Sequence, residues 1–120
     1  MDKSTLVIGA SLNESRYSNI AVRNLKAGHF PVTSIGLREG MIDTIPVITG
    51  TPELENIHTV TLYLNPGNQK PWFDFIMKLN PKRVIFNTGT ENDEFADMLS
   101  SAGIETVEDC TIMMVQSGRY

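Results

Sequence analysis

Short runs of branched and apolar residues recur along this chain, and turn-forming residues follow them. The run Thr5-Leu6-Val7-Ile8, which ends at Gly9, is typical of a strand buried on both faces of a parallel sheet. Because parallel strands need crossover connections and the intervening segments have helical spacing, the pattern predicts alternating strands and helices. We therefore expect an α/β/α three-layer sandwich around a parallel five-stranded sheet, with strands at 5–8, 32–35, 59–64, 82–87 and 104–107.

Three segments between these strands are predicted to form helices. The first begins at Ser18, as its cap, and ends at Gly28. The second spans 69–79 and is strongly apolar, and the third runs from its cap, Asn92, to Gly103. Each helix would return the chain to the start of the next parallel strand.

The segment between residues 41 and 57 has a less regular pattern. Pro46-Val47-Ile48 predicts a short extended piece, and a turn is expected at 49–52. Residues 53–56 predict a single helical turn.

Charge and composition limit the classes of function. Fourteen acidic against ten basic residues give a net charge of −4, which disfavours an extended nucleic-acid partner. The single cysteine, Cys110, and the separated His29 and His58 lack metal-ligand spacing, so we expect no metal site and a reducing compartment.

No stretch reaches the roughly 20 apolar residues that span a membrane, and no leader pattern occurs. We expect one domain, residues 1–120, in the cytoplasm.

The loops after the strands are rich in glycine, serine, threonine and asparagine, and in open parallel sheets ligands bind at such loops. The loop from Gly9 to Ser18 offers amides, hydroxyls and Arg16 at the start of a helix, which favours a phosphate group. Neither G-x-G-x-x-G nor G-x-x-x-x-G-K-[ST] occurs, so an ordinary dehydrogenase or NTPase is disfavoured. No side chains in these loops have catalytic spacing, and we expect no catalytic residue.

Several segments together resemble a known family. They are Val7-Ile8-Gly9-Ala10-Ser11, Arg16-Tyr17-Ser18, Asn87-Thr88-Gly89-Thr90-Glu91-Asn92 and the segment from Gly103 to Thr111. In this combination, which covers nearly the whole chain, the sequence resembles the small stand-alone CoA-binding domain proteins. That family is similar to the CoA-binding domain of the succinyl-CoA synthetase α subunit. The resemblance implies a Rossmann-like fold and coenzyme A as the bound ligand.

The resemblance also implies where the parts of coenzyme A would lie. The pyrophosphate would lie at the first loop and at the helix start near Ser18, helped by Arg16. Adenosine would lie toward the second strand, where Gly36 leaves room and Arg38 meets the 3′-phosphate, and the pantetheine arm would face the loops after strands three and four. The residues assigned to the ligand are Gly9, Ala10, Ser11, Arg16, Tyr17, Ser18, Gly36, Leu37, Arg38, Asn65, Pro66 and Gly89.

The sequence favours non-catalytic binding of coenzyme A or an acyl-CoA, because such a site needs phosphate donors but no acid, base or nucleophile. Ligase activity is not expected, since the phosphorylated histidine of the synthetase belongs to a second domain. Two alternatives stay open: an enzyme that acts on an acyl-CoA, and a protein-interaction module with a vestigial nucleotide pocket. In the second, the apolar helix with Trp72 mediates assembly, and a homo-oligomer or an unidentified protein partner would occupy that surface.

Overall fold

The computed structural model describes residues 2–120. Its strands are β1 (Thr5–Ala10), β2 (Val32–Gly36), β3 (Gly40–Ile42), β4 (Ile45–Ile48), β5 (Thr59–Leu62), β6 (Arg83–Phe86) and β7 (Glu105–Glu108). Its helices are α1 (Tyr17–Ala27), α2 (Pro66–Gln69), a 3-10 helix (Lys70–Trp72), α3 (Phe73–Leu79), α4 (Asp93–Ser101) and α5 (Thr111–Gln116).

The strands form one sheet in the order β3-β4-β2-β1-β5-β6-β7. Neighbouring strands are parallel except β3 and β4, which are antiparallel. The chain winds from β1 toward β2 in one direction and from β5 toward β6 in the other. The winding direction therefore reverses between β1 and β5, and the crevice beyond the carboxyl ends of these two strands is where such folds bind ligands.

The sheet has two strands more than the predicted five, both at one edge. β4 contains the predicted extended piece Pro46-Val47-Ile48, and β3 pairs with it across a tight turn in which Asp43 has a φ of 56°. β3 is only three residues long, so its alternation of side chains is too short to be visible as a strand in the sequence. The edge hairpin extends the sheet without changing its parallel centre.

Two apolar clusters, one on each face of the sheet, form the core. Successive residues of β1 point to opposite faces: Leu6 and Ile8 belong to the cluster that includes residues of α3 and α4, and Val7 belongs to the cluster that includes residues of α1 and α5. All three side chains are fully buried. This arrangement confirms the expected α/β/α layers of a Rossmann-like fold.

The prediction of one continuous helix over 69–79 is wrong. α2 ends at Gln69, the 3-10 helix follows, and α3 begins only at Phe73. Pro71 lies in the 3-10 helix and has no N–H to donate, so regular α-helical hydrogen bonding cannot run through it.

Of the two N-caps predicted from the sequence, the structure confirms the one of α4 and contradicts the one of α1. Asn92 caps α4 as predicted, because its Oδ1 accepts a hydrogen bond from the Phe95 amide at 3.1 Å. The prediction that Ser18 caps α1 is wrong: the helix begins at Tyr17, and Arg16 takes the N-cap position without a side-chain cap bond. Ser18 is thereby free to bond elsewhere.

One shorter prediction also needs correction: the segment 53–56, predicted as a helical turn, is irregular backbone. The structure also has a helix for which the sequence pattern predicts no element. This helix, α5, follows Cys110, and its six residues are too few to show a clear helical period. Among residues 2–120, no helix has the length and apolar character needed to cross a membrane.

Candidate functional site

A cleft of about 600 Å³ opens beyond the carboxyl ends of β1 and β5, at the switch point of the sheet. Its volume lies within the range usual for small-molecule sites. Its walls come from the ends of β1 and β2, the loop before α1, the exit of β5 and the 3-10 helix. The lining residues are Ile8, Gly9, Ala10, Ser11, Leu12, Asn13, Arg16, Tyr17, Ser18, Ile35, Gly36, Leu37, Arg38, Tyr63, Leu64 and Trp72.

Gly9 lines the floor of the cleft, where the end of β1 lies beside the exit of β5 in the sheet. Its φ of 94° lies in a region that other residues rarely adopt, and a Cβ there would stand 2.8 Å from the Tyr63 carbonyl oxygen. The register between β1 and β2 shifts at this residue, between Ile8 and Ala10. Only glycine fits here, because the backbone has a positive φ and the Tyr63 carbonyl leaves no room for a Cβ. The irregularity at Gly9 bends β1 into the loop that leads to α1.

Gly36 is needed for a different reason. A Cβ at Gly36 would lie 2.2 Å from the Ala10 carbonyl oxygen and 3.0 Å from Cγ1 of Val47. The absence of a side chain is thus required by the packing of β2 on β1, independently of the room it leaves for a ligand.

The loop between β1 and α1 is held by its own hydrogen bonds. The Ser11 amide donates to Oγ of Ser18 at 3.1 Å, and the Asn13 amide donates to Oγ of Ser11 at 3.1 Å. The Arg16 amide in turn donates to the Asn13 carbonyl at 3.0 Å. Ser18 is 4% exposed, and its oxygen acts as an acceptor, so its hydroxyl hydrogen stays available as a donor.

The mouth of the cleft is electropositive. Arg16 and Arg38 are exposed, line the cleft and form no ion pair within residues 2–120, where the ion pairs involve other side chains. The amides of Tyr17 and Ser18 lie in the first turn of α1, where N–H groups have no intrahelical acceptor and the helix dipole is positive. Together these groups can bind an anion such as a phosphate.

Apolar side chains form the rest of the cleft wall. Leu37 is 98% exposed and Tyr17 is 74% exposed, although both are large. On the opposite wall, Leu64 and Trp72 are half-buried against the core cluster below. The cleft thus combines a cationic mouth with apolar surfaces, which suits a ligand that carries both phosphate and apolar groups.

Three residues assigned by the resemblance lie outside the cleft lining. Asn65 caps α2 by accepting from the Asn68 amide at 3.0 Å, and Pro66 is the first residue of that helix. Gly89, with a φ of 92°, donates its amide to Oε1 of Glu91 at 2.8 Å. The other nine assigned residues, from Gly9 to Arg38, all line the cleft.

Gln69 ties the loops after β5 and β6 together, a role that the sequence does not reveal. Its fully buried side-chain amide donates to the carbonyl oxygens of Leu64 at 2.8 Å and Thr90 at 2.6 Å. Its Oε1 accepts from Nδ2 of Asn92 at 3.1 Å. This network fixes Leu64, and with it one wall of the cleft.

A second polar cluster lies below the cleft at the ends of β5 and β6. Asn87 donates to Oγ1 of Thr61 at 2.7 Å and accepts from the Thr111 amide at 2.9 Å, so it joins β6 to α5 rather than serving only in a turn. The Tyr63 hydroxyl beside this cluster is buried, and burial raises the pKa of Tyr63 well above its usual range. Cys110 is half-buried at the start of α5.

Seven cleft residues are not among those assigned to the ligand from the sequence: Ile8, Leu12, Asn13, Ile35, Tyr63, Leu64 and Trp72. Tyr63 and Leu64 continue an apolar strand pattern, and their position directly after β5, beside β1, is the signal that could have marked them. Trp72 has no such signal, because its place depends on the break at Pro71.

Within the described part of the chain, no group of three or more His, Cys, Asp or Glu side chains could hold a metal ion.

Comparison with known proteins identifies the family. Residues 3–116 match the CoA binding domain family, and the chain belongs to it. No curated protein matches the chain. The crystal structure of an uncharacterized protein is 40% identical, with a TM-score of 0.96, and the alignment covers 100% of this chain and 99% of that one.

Two more distant structures share the fold. A hypothetical protein from Pyrococcus horikoshii OT3 is 20% identical with a TM-score of 0.85, over 98% of this chain and 83% of that one. The dinucleotide-forming acetyl-coenzyme A synthetase 1 of Ca. Korarchaeum cryptofilum, in complex with phosphate and ADP, is 16% identical with a TM-score of 0.73, over 90% of this chain and 26% of that one.

Proposed function

We propose that this protein binds coenzyme A or an acyl-CoA in the cleft between the ends of β1 and β5, without transforming it. The observation that carries the proposal is the convergence of Arg16, Arg38 and the start of α1 on one cleft, in a member of the CoA binding domain family. Coenzyme A carries several phosphate groups at one end and a long, weakly polar arm at the other. The cationic mouth and the apolar walls match these two parts.

The diphosphate would lie over the start of α1. The amides of Tyr17 and Ser18, the free hydroxyl hydrogen of Ser18 and the guanidinium of Arg16 would donate to its oxygens. The Ser11 amide already donates to Ser18, so it would hold the loop rather than the ligand. Within the pyrophosphate site that the resemblance implies, we therefore propose the start of α1, and not the Ser11 amide, as the source of the phosphate donors.

The adenosine end would lie at the loop after β2. Leu37 offers an almost fully exposed apolar surface on which a base can pack. The neighbouring Arg38 would pair with the 3′-phosphate, which distinguishes coenzyme A from ADP and NAD.

The pantetheine arm would follow the wall formed by Leu64 and Trp72. This arm consists largely of methylene and amide groups, which pack well on apolar side chains. Asn65 and Pro66 come directly after Leu64, so the outer end of the arm would reach them.

Binding of this kind requires no proton transfer. The Tyr63 phenol is protonated near neutral pH at the ordinary pKa of a tyrosine, and burial raises that pKa further, which makes it a poor general base. An enzyme that acts on an acyl-CoA would need a base or nucleophile in the cleft wall, and the polar groups there are better suited to bind phosphate. We therefore favour a binding role over an enzymatic one.

Isothermal titration of the protein with coenzyme A, 3′-dephospho-CoA, acetyl-CoA, ADP and NAD tests the proposal. We expect micromolar binding of coenzyme A, weaker binding of 3′-dephospho-CoA and ADP, and the weakest binding of NAD. The Arg38→Ala variant should bind coenzyme A and 3′-dephospho-CoA equally, because the group that recognises the 3′-phosphate is gone. No heat with coenzyme A or acetyl-CoA would reject the proposal and favour the interaction module.

A further inference from the structure

Asn19 lies in the first turns of α1, directly beneath the loop that lines the cleft. It is 1% exposed, and both ends of its side-chain amide are bonded. Nδ2 donates to the Ser11 carbonyl at 2.9 Å, and Oδ1 accepts from Nε of Arg23 at 2.8 Å. A carbonyl needs a donor and a guanidinium needs an acceptor, so these two partners fix the orientation of the amide.

Asn19 and Ser18 together hold Ser11 by both of its peptide groups. The Ser11 carbonyl is bound by Asn19, and the Ser11 amide is bound by Oγ of Ser18. The Ser18 oxygen is thus occupied as an acceptor, and its hydrogen is left to point away from Ser11. The loop is set before any ligand arrives, which reduces the entropy lost on binding.

Arg23 links this arrangement to the middle of the same loop. Its Nη2 forms an ion pair with Oε1 of Glu14 at 3.0 Å. This pair is largely exposed and contributes little stability by itself. Its effect is to hold the guanidinium in place, so that Nε fixes the Asn19 amide.

We propose that Asn19 is a positioning residue for the phosphate end of the cleft. It does not line the cleft, and it acts through Ser11 and Ser18. This inference rests on the proposed function, since the ligand it prepares the loop for is the diphosphate of coenzyme A.

The test compares Asn19→Ala with Asn24→Ala, a matched change in the same helix. Asn24 also donates its side-chain amide to a backbone carbonyl, that of Ile20 at 2.8 Å, but its side-chain hydrogen bonds go to Ile20 and Gln116 and not to the loop. We expect Asn19→Ala to weaken binding of coenzyme A about tenfold, the effect of one lost hydrogen bond, and Asn24→Ala to leave it unchanged. Equal affinity in both variants, whether both normal or both weakened, would overturn the inference.

A measurement without ligand separates this inference from the proposed function. Hydrogen exchange at the Ser11 amide should be about tenfold faster in Asn19→Ala than in the wild type and unchanged in Asn24→Ala. An unchanged rate in Asn19→Ala would overturn the positioning role even if coenzyme A binds. If the wild type binds no coenzyme A, the proposed function fails, and the exchange rates still decide whether Asn19 sets the loop.

Asn19→Asp serves as a second variant in case the alanine variant fails to fold. It keeps an acceptor for Arg23 and replaces the donor to Ser11 with a negatively charged oxygen. Because the added charge would itself repel a phosphate, hydrogen exchange at Ser11 without ligand is the measurement for this variant. We expect faster exchange there than in the wild type, and a normal rate would contradict the role assigned to Asn19.

Discussion

The backbone of Gly9 packs directly on the carbonyl group of Tyr63, and a Cβ on Gly9 would stand 2.8 Å from that oxygen. This contact joins β1 to the exit of β5 at the point where the winding of the sheet reverses. It places the loop before α1 over the floor of the cleft. Substitutions at Gly9 therefore affect both the fold and the site.

Gly9→Ala should lower the free energy of unfolding more than Gly89→Ala. Both glycines have nearly the same φ, 94° and 92°, so the conformational strain, about 1 kcal/mol or more, is shared. A Cβ at Gly89 meets nothing within 4 Å, whereas one at Gly9 meets backbone, which adds about 1–3 kcal/mol. Urea denaturation of the two variants measures the difference. Equal losses would show that the contact with Tyr63 is easily relieved.

Arg16→Ala and Arg38→Ala should each weaken binding of coenzyme A about tenfold, because each removes a charge-assisted contact to phosphate. Arg119→Ala is the control. It removes the same charge from an arginine that pairs with Asp109 at 2.7 Å, outside the cleft lining. Calorimetric titration measures all three, and a similar loss in Arg119→Ala would mean that net charge alone governs binding.

Gln69→Leu should lower the free energy of unfolding by about 3 kcal/mol. The change leaves the half-buried Leu64 carbonyl and the buried Thr90 carbonyl without their donor, and each such loss costs about 1–3 kcal/mol when the group is buried. Gln116→Leu is the matched control, since the side chain of Gln116 is exposed and donates only to Oδ1 of Asn24 at 3.2 Å. Thermal and urea unfolding should find the control within about 0.5 kcal/mol of the wild type.

Stability should fall as the pH is lowered from about 7.5 to about 5, in part because of His58. Burial, helped by the charges of Arg83, Lys3 and Lys82, lowers the pKa of His58 from its ordinary value of 6.5, although Glu105 opposes this. The folded protein then binds fewer protons than the unfolded chain, so stability is full above pH 6.5 and is lost as the pH falls toward the folded pKa.

The structure gives His58 a specific partner, and this defines the variants to compare. Its Nδ1 lies 2.7 Å from Oγ1 of Thr59, which itself accepts from Nε of Arg83 at 2.8 Å. His58→Asn should have a flatter dependence of unfolding free energy on pH. His29→Asn, at an exposed position whose φ of 65° asparagine also tolerates, should keep the wild-type slope. The same slope in both variants would exclude His58 as its source.

The sequence was informative where local pattern and strand direction determine position. The branched run before Gly9 predicts β1, and the carboxyl ends of parallel strands meet at one edge. Arg16 and Arg38 follow adjacent strands and could therefore be assigned to one site. The Asn92 cap was predictable for a similar reason, because a cap acts within three residues of itself.

Contacts between distant segments had no such signal. Gln69 appears as an ordinary polar helix residue, and its bonds to Leu64 and Thr90 depend on how two loops meet. Trp72 lines the cleft from the 3-10 helix that contains Pro71, whereas the sequence pattern predicts a continuous α-helix there. Asn19 likewise has no motif, since its partner Ser11 is brought over it by the kink at Gly9.

The most direct test of the central claim is to map the backbone amide NMR shifts of the labelled protein as coenzyme A is added. The account predicts that the largest shifts fall in the loop from Gly9 to Ser18, at Leu37 and Arg38, and at the Trp72 indole N–H. Shifts concentrated instead around His58 and Asn80, at the opposite end of the sheet, or the absence of any shift at saturating coenzyme A, would contradict it.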